Sequence, residues 1–179
     1  ALARLCDPAA EVSAHYLIDE DGAMTVLVDE AMRAWHAGVA SWRGERNINS
    51  RAIGIELVNP GHEYGYRDFP EPQMATLIDL CARILARHPI PARNVVAHSD
   101  VAPLRKQDPG ERFDWRRLAA AGIGLWPDGV STDPVAEGDV AAALTEIGYD
   151  IADLGAAITA FQRHFRQVRV DGTADDETR

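Results

Sequence analysis

Strand and helix patterns alternate in the middle of the chain, and this alternation constrains the fold more than any other feature. The stretch RAIGIELV at 51–58 alternates apolar side chains, which predicts a short strand. From Gln73 to His88 the apolar residues recur at three and four positions, which predicts an amphipathic helix that Pro89 ends. A second apolar run, Val95 to Ala97, predicts a strand that ends at His98. Strands alternating with helices indicate an α/β fold with a mixed central β-sheet flanked by helices.

The residues before this region add to the predicted sheet. VSAHYLIDEDGAMTVLVDE, 12–30, contains two β-rich runs joined around Asp21-Gly22, which predicts a hairpin. Residues 34–49 mix aromatic, glycine and polar residues without a period, so we expect a loop there. Residues 1–10 read as the end of a helix, broken at Asp7-Pro8.

The end of the chain predicts a separate, small all-α module. Residues 122–137 lose all periodicity and concentrate Gly, Pro, Asp and Ser, which is typical of a linker. Within 138–179 a short helix, Val140 to Ile147, precedes a second helix. The predicted apolar face of that second helix consists of Leu154, Ile158, Phe161 and Phe165.

Charge and composition exclude several classes of protein. The net charge of −10 argues against a nucleic-acid partner, because affinity for phosphates comes mostly from clustered Lys and Arg. No apolar run approaches the roughly 20 residues that cross a bilayer. The opening residues have neither a basic nor an apolar segment, so we do not expect a signal peptide there. Cys6 and Cys81 are too few for a disulfide framework. Cys81 fits a buried thiol in the predicted helix, and a single bridge between the two cysteines is the alternative.

A candidate metal site lies in VVAHSDVAPLRKQDPGERFDW, 95–115. His98 ends the predicted strand, and a proline-containing loop leads to Asp108. Imidazole and carboxylate are both ordinary zinc ligands, and a hydrolytic zinc site uses three protein ligands and one water. Lys106, on the same loop, could stabilise negative charge on an attacked carbonyl. The alternative is a strand-end histidine, a turn aspartate and a solvated lysine.

Glu56 is the second candidate for chemistry, because it interrupts an apolar strand on the face that carries Gly54. A carboxylate there could accept a proton from an attacking water. The alternative is a surface residue on an edge strand. Of the histidines, His15 fits a core position and His36 could line a cleft. The others, predicted to be surface residues, are His62, His88 and His164.

Several stretches together resemble one family, the zinc-dependent N-acetylmuramoyl-L-alanine amidases of the AmpD-like type, which are related to peptidoglycan recognition proteins. The resemblance covers residues 1–121, which would form the catalytic domain. The matching motifs, in order, are VSAHYLIDEDG, AWHAG, NINSRAIGIELVN, VVAHSDVAP and RKQDPGERFDW. Residues 138–179 resemble a small helical peptidoglycan-binding domain, in which a Phe-Gln pair precedes an Asp-Gly turn.

The resemblance implies a Zn²⁺ cofactor and a role for each matching residue. His98 and Asp108 match two of the family's three zinc ligands. Glu56 matches its catalytic acid and base, and Lys106 the residue that stabilises the oxyanion. The third ligand is a histidine at the end of an opening strand, which we expect before Ala1.

The family further implies that a substrate cleft borders on Trp35, His36 and Asn49. Peptidoglycan or a muropeptide would be the partner. A rival hypothesis is a non-catalytic peptidoglycan-binding protein, because relatives that lack a zinc ligand bind without cutting. A wall-binding module favours the periplasm or cell envelope, with the cytoplasm as the alternative for a recycling enzyme. Neither the oligomeric state nor the choice between intact wall and anhydro-muropeptides follows from the sequence.

Overall fold

The computed structural model describes residues 1–127, 129, 133 and 135–179. Contacts divide the chain into two compact units, and neither is a single stretch of sequence. The first unit comprises residues 1–40 and 47–88, and the second comprises 41–46 and 89–179. Part of the predicted linker, 122–137, lies outside the described residues. The functional division into 1–121, 122–137 and 138–179 stays a prediction.

Six α-helices and five strands are found in the described part of the chain. The helices are α1 (Leu2–Leu5), α2 (Glu71–Arg87), α3 (His98–Val101), α4 (Trp115–Ala120), α5 (Val140–Ile147) and α6 (Leu154–Phe165). The strands are β1 (Tyr16–Ile18), β2 (Met24–Val26), β3 (Ser41–Trp42), β4 (Glu45–Arg46) and β5 (Ile55–Leu57). Short 3₁₀ turns occur at Pro8–Ala10, Ile48–Ser50, Ala92–Asn94 and Glu137–Asp139. None of the described helices has both the length and the apolarity needed to cross a bilayer.

The first unit contains a small mixed sheet in the order β2-β1-β5. Strand β1 is antiparallel to β2, with Tyr16 opposite Val26, and parallel to β5, with Leu17 opposite Glu56. All three residues of β1 are buried, as expected for a central strand. The predicted hairpin, the strand at 51–58 and the mixed character of the sheet are thus confirmed.

Helix α2 covers this sheet with an apolar face, as its three- and four-residue spacing predicts. Its buried residues are Gln73, Met74, Leu77, Leu80, Cys81 and Ile84. The Gln73 amide donates to the carbonyls of Ile18 and Val58, both at 3.0 Å, and so joins the ends of β1 and β5. Both cysteines are free thiols. Burial raises the pKa of the Cys81 thiol to about 11.

A cluster around Glu30 ties the segment after β2 to the C-terminal end of α2. The Glu30 carboxylate accepts hydrogen bonds from the Tyr16 hydroxyl, the Arg87 guanidinium and, at 2.7 Å, the His88 imidazole. The hydrogen bond from Arg87 is the main reason why the pKa of Glu30 falls to about 2, although partial burial opposes it. His88 is partly exposed, and His62 is exposed as predicted.

In the second unit, the hairpin β3–β4 packs against the C-terminal end of α5. The Arg43 backbone N–H donates to the Gly148 carbonyl at 2.8 Å. Its guanidinium donates to the carbonyls of Glu146 and Ile147. The prediction of a plain loop over 34–49 was therefore wrong at 41–46. Two-residue strands are too short to show an alternating pattern in the sequence.

Helix α6 ends next to a turn that its buried Gln162 holds in place. The Gln162 side-chain oxygen accepts from the backbone N–H groups of Asp171 and Gly172, at 2.9 and 2.8 Å. Its amide group donates to the Thr173 carbonyl and the Thr178 hydroxyl. Gly172 has a φ of +74°, where a side chain would be strained. The Phe-Gln pair and the Asp-Gly turn noted in the sequence are therefore one hydrogen-bonded structure.

Two further predictions about the second unit were wrong. Val95 to Ala97 is extended but pairs with none of the described strands, so His98 begins helix α3 and does not end a strand. His164 is buried, with 2% of its surface exposed, and is not a surface residue. The buried side of α6 is also broader than its predicted apolar face: it includes His164, while Leu154 is exposed.

Candidate active site

The second unit brings His98 and Asp108 together. The distance between His98 Nδ1 and Asp108 Oδ2 is 2.9 Å. Because a carboxylate only accepts, the imidazole must donate through Nδ1. The His98 side chain is largely buried, with 17% exposed, whereas that of Asp108 is 57% exposed. An imidazole at the start of α3 and a carboxylate on the following loop thus meet near the surface of this unit.

Asp108 is held in its ionised form. Partial desolvation raises the pKa of its carboxyl, but the hydrogen bond and charge of His98 and the charge of Lys106 outweigh this effect, so that the net pKa is below its ordinary value. An ionised carboxylate is the form that binds a metal ion. Lys106, whose positive charge helps to lower the pKa of Asp108, is partly exposed on the same loop.

The backbone around His98 is fixed by two further hydrogen bonds. The Ala97 N–H donates to the Asp100 carboxylate at 2.7 Å, which caps the first turn of α3. The Ser99 N–H donates to the Asp108 carbonyl at 3.0 Å. The segments that carry His98 and Asp108 are therefore joined through their backbones as well as their side chains.

Glu56 belongs to the first unit, in the middle of strand β5. Its side chain is partly exposed, so it is neither sealed in the core nor fully solvated. By strand alternation it shares a face with Gly54. That face is crowded at Gly54, because an added Cβ would lie 2.3 Å from Cγ of His36. Only glycine leaves room for the His36 ring there.

His15 and His36 form a rigid pair next to Gly54. Their ring centroids are 5.6 Å apart, in an edge-on arrangement. His15 Nδ1 accepts from the Gly54 N–H at 2.9 Å, so Nε2 carries the proton and donates to the Met32 carbonyl. His15 is 1% exposed, which confirms the prediction of a core residue.

Asn49 supports the loop that carries Trp35 and His36. Its side-chain oxygen accepts from the backbone N–H groups of His36 and Ala37, at 3.0 and 2.7 Å. Trp35 remains about half exposed, with the Arg33 guanidinium over its ring. The structure thus gives the predicted cleft residues different tasks: Asn49 holds the loop, and Trp35 offers an exposed aromatic surface.

The donor set fits part of a zinc site. Imidazole nitrogen and carboxylate oxygen are suitable ligands, and the two side chains lie within hydrogen-bond distance of each other. Among the described residues, however, no group of three or more His, Cys, Asp or Glu side chains could hold a metal ion. His98 and Asp108 would therefore supply two ligands, and their role as ligands stays a prediction.

Comparison with known proteins identifies the family. The profile of the family described as "N-acetylmuramoyl-L-alanine amidase" matches residues 1–111, more than half of the chain. The chain belongs to the N-acetylmuramoyl-L-alanine amidase family. This membership confirms the predicted enzyme class.

Two relatives in this amidase family show how far the similarity extends. The N-acetylmuramoyl-L-alanine amidase AmiD of Escherichia coli (strain K12) is 38% identical over 206 residues, which cover 99% of this chain and 74% of AmiD. The 1,6-anhydro-N-acetylmuramyl-L-alanine amidase AmpD of Citrobacter freundii is 41% identical over 109 residues. That match covers 61% of this chain and 56% of AmpD, so the chain spans little more than half of this second relative.

Solved structures of the family share the fold. The E. coli AmiD complex with anhydro-N-acetylmuramic acid-L-Ala-D-gamma-Glu-L-Lys matches with a TM-score of 0.87 at 38% identity, covering 99% of this chain and 79% of that one. Pseudomonas aeruginosa AmpDh3 in complex with anhydromuramic pentapeptide matches with a TM-score of 0.83 at 33% identity, covering 98% and 85%. These similarities confirm the α/β fold with a mixed sheet flanked by helices.

The candidate metal-binding segment 95–115 (the metal loop) also contains or adjoins three residues that the sequence did not single out for this region. Asp100 is fully buried, and its carboxylate contacts Tyr149 and His164. No local pattern links these positions, because the contacts span 49 and 64 residues of sequence. The one available signal was a charged residue beside the apolar run at 95–97.

Proposed function

We propose that this protein hydrolyses the amide bond between N-acetylmuramic acid, or its 1,6-anhydro form, and the L-alanine of the peptidoglycan stem peptide. The observation that carries this proposal is the convergence of His98 and Asp108 in a chain of this amidase family. The ligands in the two similar complexes, both anhydromuramic peptides, support the choice of substrate class. Cell-wall turnover or recycling would be the setting.

We further propose that His98 and Asp108 are two of the ligands that would hold Zn²⁺. When bound, zinc polarises the scissile carbonyl and lowers the pKa of water. Asp108 is kept ionised for this role by His98 and Lys106.

The remaining roles fall to side chains of the chain itself. Glu56 would accept the proton of the attacking water and deliver it to the leaving nitrogen. The Lys106 ammonium would offset the negative charge that develops on the carbonyl oxygen. Trp35, with its exposed ring, and His36 would contact the substrate, while Asn49 would keep their loop in position.

The test of this mechanism is the variant Glu56→Gln, which keeps the size of the side chain but removes its basic oxygen. General acid–base catalysis contributes about 10²–10⁴-fold, so we expect kcat on an anhydromuramic peptide to fall at least about a hundredfold. The zinc content of the full-length protein, measured by atomic emission, should not change. Near-normal turnover with intact zinc would remove Glu56 from the mechanism.

The matched control is Glu45→Gln, at an exposed position of strand β4. Its turnover should equal that of the unaltered protein. Treatment with a chelator distinguishes a zinc hydrolase from a non-catalytic binding protein. If the site is hydrolytic, removal of the metal should abolish cleavage. Peptide binding without any cleavage in zinc-loaded protein would favour the non-catalytic alternative. The cellular site, periplasm or envelope as against cytoplasm, would be assigned by fractionation.

A further inference from the structure

We propose that Tyr149 and His164, acting through the carboxylate of Asp100, are positioning residues for the metal-binding loop. The C-terminal helices α5 and α6 would then hold His98 and Asp108 in position relative to each other. This inference rests on the proposed function only for its consequence, the affinity for zinc. The positioning itself is a property of the protein without metal.

The geometry of the Asp100 carboxylate carries the proposal. Asp100 is 0% exposed. Its Oδ1 lies 2.8 Å from the Tyr149 hydroxyl, and its Oδ2 lies 2.7 Å from His164 Nδ1. The same Oδ2 accepts from the Ala97 N–H at 2.7 Å. All of these residues belong to the second unit.

A buried carboxylate of this kind depends on its donors. A carboxylate only accepts, so the Tyr149 hydroxyl and the His164 Nδ1–H both donate to it. Burial, together with the charge of Asp100 and its hydrogen bond, raises the pKa of Tyr149 well above its ordinary value, which keeps the hydroxyl protonated. Removing one partner of a buried charge is costly, because the charge is then left without compensation.

Both donors are themselves held by aromatic packing. The His164 ring stacks on Trp115 with centroids 3.8 Å apart and an interplanar angle of 17°. The Tyr149 ring packs edge-on against Trp42 at 5.2 Å. Helix α4 and the hairpin β3–β4 thus hold the two donors in place.

Among the described residues, His164 makes its one polar ring contact through Nδ1. Its Nε2 is buried and has no hydrogen-bond partner within that part of the chain. The His164 ring therefore acts through its Nδ1–H, which holds the Asp100 carboxylate. Its Nε2 does not contribute to that contact. The group that His164 serves is therefore Asp100.

From Asp100 the restraint passes to the metal loop by short steps. The Ala97 N–H that Asp100 binds lies directly before His98, the first residue of α3. The Ser99 N–H then holds the Asp108 carbonyl. Groups that hydrogen-bond a ligating side chain directly contribute about 10–100-fold to metal affinity, and a group that acts one step further out should lie at the low end of that range. We therefore expect Tyr149 and His164 to influence zinc binding without touching the ion.

The experiment compares four variants of the protein as its gene encodes it. Tyr149→Phe removes one hydroxyl, and His164→Leu removes the imidazole donor. His164→Asn is the rescue variant, because its amide nitrogen takes the place of Nδ1. Ile158→Val, in the buried face of α6 but outside the Asp100 contacts, controls for loosened packing.

Two readouts are measured: zinc affinity by competition with a chromophoric chelator, and hydrogen exchange of the Ala97 and Ser99 amides in metal-free protein. Tyr149→Phe and His164→Leu should bind zinc about tenfold more weakly. They should exchange these amides at least about tenfold faster, because each loses a hydrogen bond to a charged group. His164→Asn should recover most of both effects. Ile158→Val should leave both within about twofold of the unaltered protein.

Failure of this proposal is distinct from failure of the proposed function. If the unaltered protein binds no zinc, the amidase mechanism fails, while faster amide exchange in Tyr149→Phe and His164→Leu still supports the positioning role. If both readouts in these variants match Ile158→Val, the positioning role is overturned even in an active zinc enzyme. Equal loss in His164→Asn and His164→Leu would also overturn it.

Discussion

At the scale of single residues, Asn49 shows how a predicted substrate contact has a structural task. Its side-chain oxygen serves two backbone N–H groups of the loop that presents Trp35 and His36. It is 9% exposed, so little of it is open to a ligand. Any influence of Asn49 on substrate binding would pass through the position of that loop.

Asn49→Ala tests this interpretation. The change leaves two backbone donors without their acceptor, which should lower the free energy of unfolding by about 1–3 kcal/mol in urea titration. Asn49→Asp keeps an oxygen acceptor and should recover most of that loss. Equal stability of Asn49→Ala and the unaltered protein would show that water replaces the amide without cost.

At the scale of elements, sequence periodicity predicted the strands and helices whose own residues follow a regular apolar spacing. Strands β1, β2 and β5 and helix α2 follow alternation or three- and four-residue spacing, and each was predicted. Residues 95–97 have the apolar character of a strand, but a strand also needs a neighbour, and the turn capped by Asp100 starts at once. The burial of His164 depends on a partner 64 residues away, which no local pattern reveals.

The candidate site was predictable to a similar degree. A histidine at the end of a predicted strand and an aspartate after a proline-containing loop were expected to meet, and the two side chains do lie 2.9 Å apart. That Asp100 and two C-terminal donors would lie beneath that loop was not expected, because the pairing is a tertiary contact. Residue types indicate which side chains can act in a reaction, whereas the residues that hold those side chains in place are visible only in the folded structure.

The Glu30 cluster, which joins the segment after β2 to helix α2, should make stability depend on pH. The pKa of Glu30 is about 2 in the folded protein, against 4.5 as its ordinary value. A lowered pKa contributes stability that is fully present above pH 4.5 and is lost as the pH falls toward 2. Urea unfolding of Glu30→Gln at pH 7 should show a loss of about 1–2 kcal/mol, because solvent screens the half-exposed Arg87.

At pH 3 the difference between Glu30→Gln and the unaltered protein should shrink, since the carboxylate then contributes less. Glu20→Gln is the matched control: its ion pair with Arg67 lies at the surface, and its loss should cost less than about 0.5 kcal/mol. A difference for Glu30→Gln that stays constant from pH 7 to pH 3 would contradict the linkage.

At the scale of the whole molecule, packing and proposed function divide the chain differently. The family match covers residues 1–111, yet the second compact unit runs from residue 89 to 179 with the hairpin 41–46 added. The metal loop and the C-terminal helices share that unit. A catalytic segment cut from the rest would therefore lose part of its own packing.

A fragment ending at Ala121 tests this dependence. It removes Tyr149 and His164, so Asp100 loses two buried hydrogen bonds to its carboxylate, which should cost about 3–6 kcal/mol. Total stabilities are about 5–15 kcal/mol, so thermal unfolding followed by circular dichroism should show a much weaker or absent transition. A fragment as stable as the whole chain would contradict the coupling.

The interleaved units also bear on how the chain folds during synthesis. The Arg43 side chain binds the carbonyl of Glu146, 103 residues later in the sequence. Ribosomes add about 5–20 residues per second, so the hairpin waits for several seconds before its partner helix emerges. During that interval its apolar Trp42 has no native cover from Tyr149, and a nascent chain paused there would be a natural client for chaperones.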